Sequence, residues 1–160
     1  MEVIARALGG GALAFLFVCL VPLLVALWIY HVLYGAVLKL WWWRKHGQYG
    51  RDFLVVYSDS PKWSEIVPEK ILPVLGARAV VANISKDSSW NASRSFERRV
   101  HKHWGGRVEH TPIVIKLSRF HKVVQVRLFE AFMLNAKKGD SSQLEERLAV
   151  VHALVQSSAA

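Results

Sequence analysis

Residues 53–63 read FLVVYSDSPKW, five strand-forming residues followed by a polar turn that contains a proline. A continuous apolar run of this length, bounded by turn residues, is typical of a strand buried on both faces of a sheet. In α/β proteins such a strand end often carries a nucleophile, a phosphate-binding turn or a redox pair. The fold of the chain, and any chemistry at Ser58, Asp59 or Ser60, therefore depends on what surrounds this junction.

The segments after the junction alternate between helical and strand patterns. Helices are predicted where apolar residues recur at helical spacing, and strands where short apolar or alternating runs lie between turn residues. The predicted helices are 61–76, 93–104 and 141–155, and the further strands are 77–85, 111–117 and 122–129. The order β-α-β-α-β-β-α predicts an α/β fold with a mixed four-stranded sheet. Its first crossovers are expected to place parallel neighbours, and its last two strands an antiparallel hairpin.

This order, the junction at residues 58–63 and Thr111-Pro112 directly before the third strand resemble the thioredoxin-like fold, over about Asp52 to Val155. The resemblance implies that Pro112 is a structural proline in the cis form, beside the position of the family's redox motif. Thiol–disulfide exchange there needs a C-x-x-C pair, because a thiolate is the nucleophile. The junction contains no cysteine, so this chemistry is excluded.

No other catalytic set emerges from the sequence. A serine nucleophile needs a base and an oxyanion hole, and no G-x-S-x-G pattern is present, so Asp59 and Ser60 are interpreted as helix caps before Pro61. The histidines lack the i, i+4 spacing of the zinc-protease motif, and the single cysteine, Cys19, rules out a cysteine-based zinc site. We expect no catalytic residue and no metal site. A cysteine-free thioredoxin-like enzyme using Tyr57 or Ser60 stays open as an alternative.

The N-terminal segment predicts a membrane anchor. No Asp, Glu, Lys or Arg occurs between Ala7 and Leu38, and about 20 apolar residues suffice to cross a bilayer core. A cleaved signal peptide has a shorter apolar core and small residues before the cut, so a retained single-pass helix is favoured. We divide the chain into an anchor at 1–43, a linker at 44–51 and a soluble domain at 52–160.

The charges that flank the apolar run predict its orientation. Lys39, Arg44, Lys45 and Arg51 all follow the run. The positive-inside rule then places the N-terminus outside and the soluble domain on the cytoplasmic face. Aromatic and basic residues at the end of a span are typical of the membrane interface. The residues predicted to lie there are Trp41, Trp42, Trp43, Arg44 and Lys45.

His31 lies inside the apolar run. An ionisable residue at membrane depth is costly and is by default a functional hypothesis. A neutral imidazole can ligate a haem or chlorophyll-type metal, so His31 is a candidate cofactor ligand. A contact with a neighbouring helix or with the interface is the alternative. No other cofactor is expected.

A basic stripe is predicted on the helix at 93–104, in a chain of net charge +9. Such a stripe favours binding to anionic lipid or to an acidic partner, and a solvated helix face is the plainer alternative. Nucleic acid is not favoured, because no recognition motif accompanies the charge. The candidate binding residues are Arg94, Arg98 and Lys102, which form the stripe, together with Arg99.

Together these features predict a non-catalytic, membrane-anchored accessory or structural subunit of a larger membrane protein complex, of the respiratory or photosynthetic type. Its expected partners are other membrane subunits and membrane lipids. The alternatives are an anionic-lipid or acidic-partner binding module, and the tethered enzyme described above.

Overall fold

The computed structural model describes residues 2–61, 63–86, 90, 95–106 and 111–157, with side chains from Val18 onward. The chain divides into two compact units, Met1–Val37 and Leu38–Ala160. The first unit consists of helix in its described part, and the second is an α/β domain.

The first helix, α1, runs from Glu2 to Lys45, with Pro22 inside it. Among the described residues it is the one helix long and apolar enough to span a membrane, and it lies near the N-terminus. Its large apolar side chains between Val18 and Leu33 are exposed. Two basic residues in its last turn, Arg44 and Lys45, complement the negative end of the helix dipole.

The domain begins within α1, at Leu38, rather than at the predicted Asp52. Leu38 and Trp42, one turn apart on α1, are only 2% and 1% exposed. The predicted linker at 44–51 is the end of α1 followed by a 3-10 turn, Gly47–Tyr49. Trp42 Nε1 donates a hydrogen bond of 3.1 Å to the carbonyl of Arg51, which fastens this turn to the helix. The last turns of α1 are therefore a structural part of the domain.

The described residues form a mixed four-stranded sheet, as the sequence predicts, with the order β2-β1-β3-β4. The strands are β1 (Phe53–Tyr57), β2 (Ala79–Asn83), β3 (Ile113–Lys116) and β4 (Val124–Arg127). β1 is parallel to β2 and antiparallel to β3, and β3 is antiparallel to β4. The expectation of a parallel neighbour is confirmed for the first crossover and wrong for the second, which brings β3 in antiparallel.

The helices after β1 are shorter or more numerous than predicted. Leu72–Leu75 (α2) follows a π-helical turn at Val67–Ile71, and Phe96–Val100 (α3) precedes a π-helical turn at His101–Gly105. Two helices close the chain, α4 (Phe129–Lys138) and α5 (Ser142–Gln156), of which only the second was predicted.

The residues directly before α5 make hydrogen bonds to its first turn. Asp140 Oδ1 accepts a hydrogen bond of 3.0 Å from the backbone N–H of Ser142. Ser141 Oγ donates to Glu145 Oε1 at 2.8 Å. Asp140 thus satisfies the backbone N–H of the first residue of α5, whereas the Ser141 hydroxyl bonds to a side chain rather than to a backbone N–H.

The main core lies between one face of the sheet and helices α2, α4 and α5. Phe53, Val55 and Val114 supply the sheet side of this core, and Leu54 and Val56 are buried on the opposite face. Burial on both faces explains why β1 reads as an uninterrupted apolar run. The helical side of the core is formed by Val67, Ile71, Leu75, Phe132, Leu144 and Val151. The peptide bond between Thr111 and Pro112 is cis, the form that the resemblance implies.

Candidate functional site

The junction after β1 uses its polar groups to join neighbouring segments. Ser58 Oγ accepts a hydrogen bond of 3.2 Å from Trp63 Nε1. Asp59 Oδ1 accepts one of 2.6 Å from Asn83 Nδ2 at the end of β2. The expected helix cap at Asp59 is therefore a bridge between two strand ends. Trp63 is buried.

The predicted cofactor position receives no further support. His31 is exposed on α1, so its role as a ligand stays a prediction. Within the part of the chain that the structure describes, no three His, Cys, Asp or Glu side chains come together as a metal site.

The predicted basic stripe is not one uniform face. Arg94 lies outside the described residues. Arg98 is half-buried, and its Nη1 donates a hydrogen bond of 2.7 Å to the carbonyl of Trp90, so it has a structural role. Arg99 and Lys102 are exposed. Of the four residues, these two are shown to be available for a ligand.

The clearest candidate site is a cavity of about 420 Å³ between the end of α1 and α3. We call it the basic–aromatic cavity, and its lining residues are Trp41, Arg44, Lys45, Phe96 and Arg99. The rings of Trp41 and Phe96 lie 6.2 Å apart between their centroids. The guanidinium carbon of Arg99 lies 5.8 Å from the Trp41 centroid and 6.0 Å from that of Phe96. Cation–π contacts of this kind hold a charged group over an apolar wall.

A partly buried carboxylate, that of Glu97, pairs with one of the residues that line this cavity. Glu97 Oε1 accepts a hydrogen bond of 2.8 Å from Lys45 Nζ and lies 2.9 Å from His46 Nε2. Burial raises the pKa of Glu97, but hydrogen bonds from Lys45, from its own backbone and from His46 outweigh it, so the pKa lies below its ordinary value. Glu97 is therefore ionised at neutral pH and holds Lys45 in place.

Trp42 packs against Phe96, one of the residues that line the cavity. Its ring centroid lies 4.6 Å from that of His46 and 6.2 Å from that of Phe96. The three consecutive tryptophans thus have different environments, and the prediction that all three face the membrane interface is wrong for Trp42. Trp41 is 51% exposed beside it.

The charge of the cavity is positive. Lys45 is paired with Glu97, whereas among the described residues neither Arg44 nor Arg99 forms an ion pair with an acidic side chain. A guanidinium group presents several N–H donors in a plane that matches a phosphate or carboxylate group. The volume also lies within the range of about 300–1,000 Å³ that is usual for small-ligand sites. The arrangement can therefore bind an anionic oxygen group against aromatic walls.

The sequence identified most of the lining residues but not their assembly. Trp41, Arg44 and Lys45 were predicted as interface residues and Arg99 as a partner- or lipid-binding residue, two groups far apart in the chain. Neither Phe96 nor Glu97 was predicted as a site residue. A signal for Glu97 was available, since it is the one acidic residue within residues 94–102.

The fold defines the structural class of the protein. It is an α/β domain with a mixed four-stranded sheet, preceded by one long apolar helix. No family model, curated protein or solved structure matches the chain.

Proposed function

We propose that the chain is a single-pass membrane protein whose thioredoxin-like domain is non-catalytic. In this proposal it is an accessory or structural subunit of a larger membrane protein complex, of the respiratory or photosynthetic type. The observation that carries the proposal is the continuity of α1 with the domain: the same helix contains the apolar run and supplies the buried Leu38 and Trp42. A domain that follows directly on the apolar run suits a subunit held at the membrane surface.

Two further observations support the scaffold and its non-catalytic role. The sheet order β2-β1-β3-β4, with β1 and β2 parallel, agrees with the proposed thioredoxin-like arrangement. Ser58 and Asp59, where that family keeps its reactive groups, are engaged in hydrogen bonds to Trp63 and Asn83.

Purification from the native membrane tests the proposed subunit. We expect the full chain to stay in the membrane fraction after alkaline extraction and, in mild detergent, to migrate on native gels with other subunits. Migration as an isolated chain of 18.1 kDa would contradict the subunit role. A Ser58→Ala, Ser60→Ala double variant is the control for the tethered-enzyme alternative, because it should assemble and function as the parent does.

The proposed orientation places the domain on the cytoplasmic face, since four basic residues follow the apolar run. A single cysteine at Tyr49, in a Cys19→Ser background, reports it, because Tyr49 is exposed. In intact cells this cysteine should be protected from a membrane-impermeant maleimide and become reactive after lysis. Labelling in intact cells would contradict this orientation.

The basic–aromatic cavity favours a second candidate function, a binding module for anionic lipid headgroups or acidic partner groups. Arg44 and Arg99 would bind the anion, and Trp41 and Phe96 would enclose it. We expect an Arg44→Gln, Arg99→Gln variant, purified in mild detergent with mixed neutral and anionic lipids, to retain several-fold less anionic lipid in native mass spectra. Lys137→Gln, Lys138→Gln is the matched control, because both lysines are exposed at the end of α4. Equal retention by the two variants would exclude the cavity as a lipid site.

A further inference from the structure

The loop between β3 and β4 exposes a large aromatic side chain. We call residues 118–122 the β3–β4 loop, and Phe120 within it is 81% exposed, more than Val18 on the apolar helix at 71%. A single exposed apolar residue is common on protein surfaces and indicates nothing by itself. Its surroundings decide whether it is a contact site.

Cations and a second aromatic ring surround Phe120. The guanidinium carbon of Arg119 lies 4.1 Å from the ring centroid of Trp43 and 4.9 Å from that of Phe120. Arg119 is thus stacked with two rings, one from α1 and one from the loop. Lys122 is exposed on the other side of Phe120. The loop therefore presents an apolar tip with basic flanks, the composition found where proteins meet the interface of an anionic bilayer.

The loop is tied to the segment of α1 that directly follows the apolar run. Lys39 Nζ donates a hydrogen bond of 2.6 Å to the carbonyl of His121. Ser118 Oγ lies 3.0 Å from His121 Nδ1, which holds the turn of the loop. Lys39 is the first charged residue after the uncharged stretch from Ala7 to Leu38. The loop is therefore held beside the point where the chain changes from apolar to charged.

A cavity of about 680 Å³ lies beside the loop and gives room for a polar headgroup. Its lining includes Trp43, Lys116, Arg119 and Lys122. Asp52 also lines it, but its carboxylate is paired with Arg78 and does not cancel the loop's charge. The cavity beside the loop is thus positively charged, and the ring of Trp43 forms part of its lining.

We propose that the β3–β4 loop is a second membrane contact, in which Phe120 enters the interfacial layer and Arg119 and Lys122 bind the phosphates of anionic lipids. Lys39 and Trp43 of α1 complete the same surface. The proposed ligand is a lipid surface because the basic flanks match anionic headgroups and the loop is fixed to the residue that ends the apolar run. This inference rests on the proposed membrane anchoring.

A fluorescent label tests the contact in the full chain. The Cys19→Ser variant receives a single cysteine at Phe120, carries an environment-sensitive nitrobenzoxadiazole group there, and is reconstituted into phosphatidylcholine vesicles with or without phosphatidylserine. The same label at Val150, a partly exposed position on α5, is the matched control. With phosphatidylserine present, we expect a blue-shifted emission at position 120 and several-fold stronger quenching by nitroxide-labelled lipids than at position 150.

A charge-reversal variant tests the charge dependence of the contact, and co-flotation with the vesicles tests the membrane anchoring. Adding Arg119→Glu and Lys122→Glu should return the label at position 120 to the quenching seen at position 150. A chain that co-floats with the vesicles but keeps a water-exposed label at position 120 overturns the loop contact alone. A chain that fails to co-float contradicts the proposed anchoring as well. If quenching at position 120 depends neither on phosphatidylserine nor on the charge reversal, the assignment of anionic lipids as the ligand is overturned.

Discussion

Lys45 Nζ, in the last turn of α1, lies 2.8 Å from Glu97 Oε1 on α3, and His46 Nε2 lies 2.9 Å from the same oxygen. One carboxylate thus contacts the last residue of α1 and the residue that directly follows this helix. The side chain of Glu97 is largely buried and that of Lys45 is half exposed, so the carboxylate depends on the pair more than the ammonium does. This contact sets the separation of α1 and α3, and with it the width of the basic–aromatic cavity.

Loss of the Glu97 charge should destabilise the domain. Glu97→Gln keeps one oxygen acceptor but removes the charge, and we expect the free energy of unfolding to fall by about 1–2 kcal/mol at pH 7. Thermal unfolding of the full chain in detergent, followed by circular dichroism, measures this. Glu146→Gln, at an exposed position on α5, should change stability by less than about 0.5 kcal/mol.

The same pair should also weaken in acid. Because the pKa of Glu97 is held below its ordinary value in the folded state, its contribution is fully present above that ordinary value. It is lost as the pH falls through the lowered folded-state pKa. In Glu97→Gln this part of the acid destabilisation should be missing, and an unchanged acid profile would contradict the pairing.

Two adjacent tryptophans should differ sharply in their contribution to stability. Trp42 is buried and donates a hydrogen bond to the carbonyl of Arg51, so Trp42→Ala should cost about 3–5 kcal/mol. Trp41→Ala removes a ring that is half exposed and should cost at most about 1 kcal/mol. Urea unfolding of both variants in the same detergent compares them. Equal losses would show that α1 is not part of the domain's core.

The sheet could be predicted because its strands carry local signals. β1 is buried on both faces and reads as FLVVY, and turn residues follow it. β4 was placed correctly, but the predicted strand also included Leu128 and Phe129. In the structure α4 begins at these residues. An apolar start to a helix and the end of a strand look alike over a few residues, so α4 was missed.

The candidate site could be predicted only in its parts. The run Trp41, Trp42, Trp43 gives no local sign that its middle member faces the domain, because that choice depends on where Phe96 lies in three dimensions. The pairing of Lys45 with Glu97 joins residues from distant segments and leaves no periodic pattern. Composition predicted the kind of residue in the cavity, and tertiary packing determined which of them meet.

Gly105 should not tolerate a side chain, because of His101. A Cβ at Gly105 would lie 2.5 Å from His101 Cδ2, well inside van der Waals contact. Gly105→Ala should therefore lower the free energy of unfolding by about 1–3 kcal/mol through overpacking. A double-mutant cycle with His101→Ala provides the control, since the alanine at position 105 should cost much less once the imidazole is gone. Additive losses in the cycle would contradict this steric cause.

His101 should make the folded state sensitive to mild acid. It is 1% exposed, its ring centroid lies 5.4 Å from that of Trp90, and its Nε2 has no hydrogen-bond partner within the described residues. Burial lowers the pKa of His101 from 6.5 to about 4. Between these values the unfolded chain binds a proton that the folded chain does not, so the free energy of unfolding falls as the pH falls.

This loss should amount to about 3 kcal/mol in total, at about 1.4 kcal/mol for each pH unit. His101→Leu keeps a similar volume without a titrating group, so it should unfold with a much flatter dependence on pH between 6.5 and 4. At pH 7 it should lose little stability, because the imidazole is neutral there and its Nε2 makes no hydrogen bond within the described residues. Urea titrations of the full chain across this range give the comparison, and His152→Leu, at an exposed position on α5, should follow the parent profile. If His101→Leu and the parent show the same slope, the imidazole is not the group that links folding to protons.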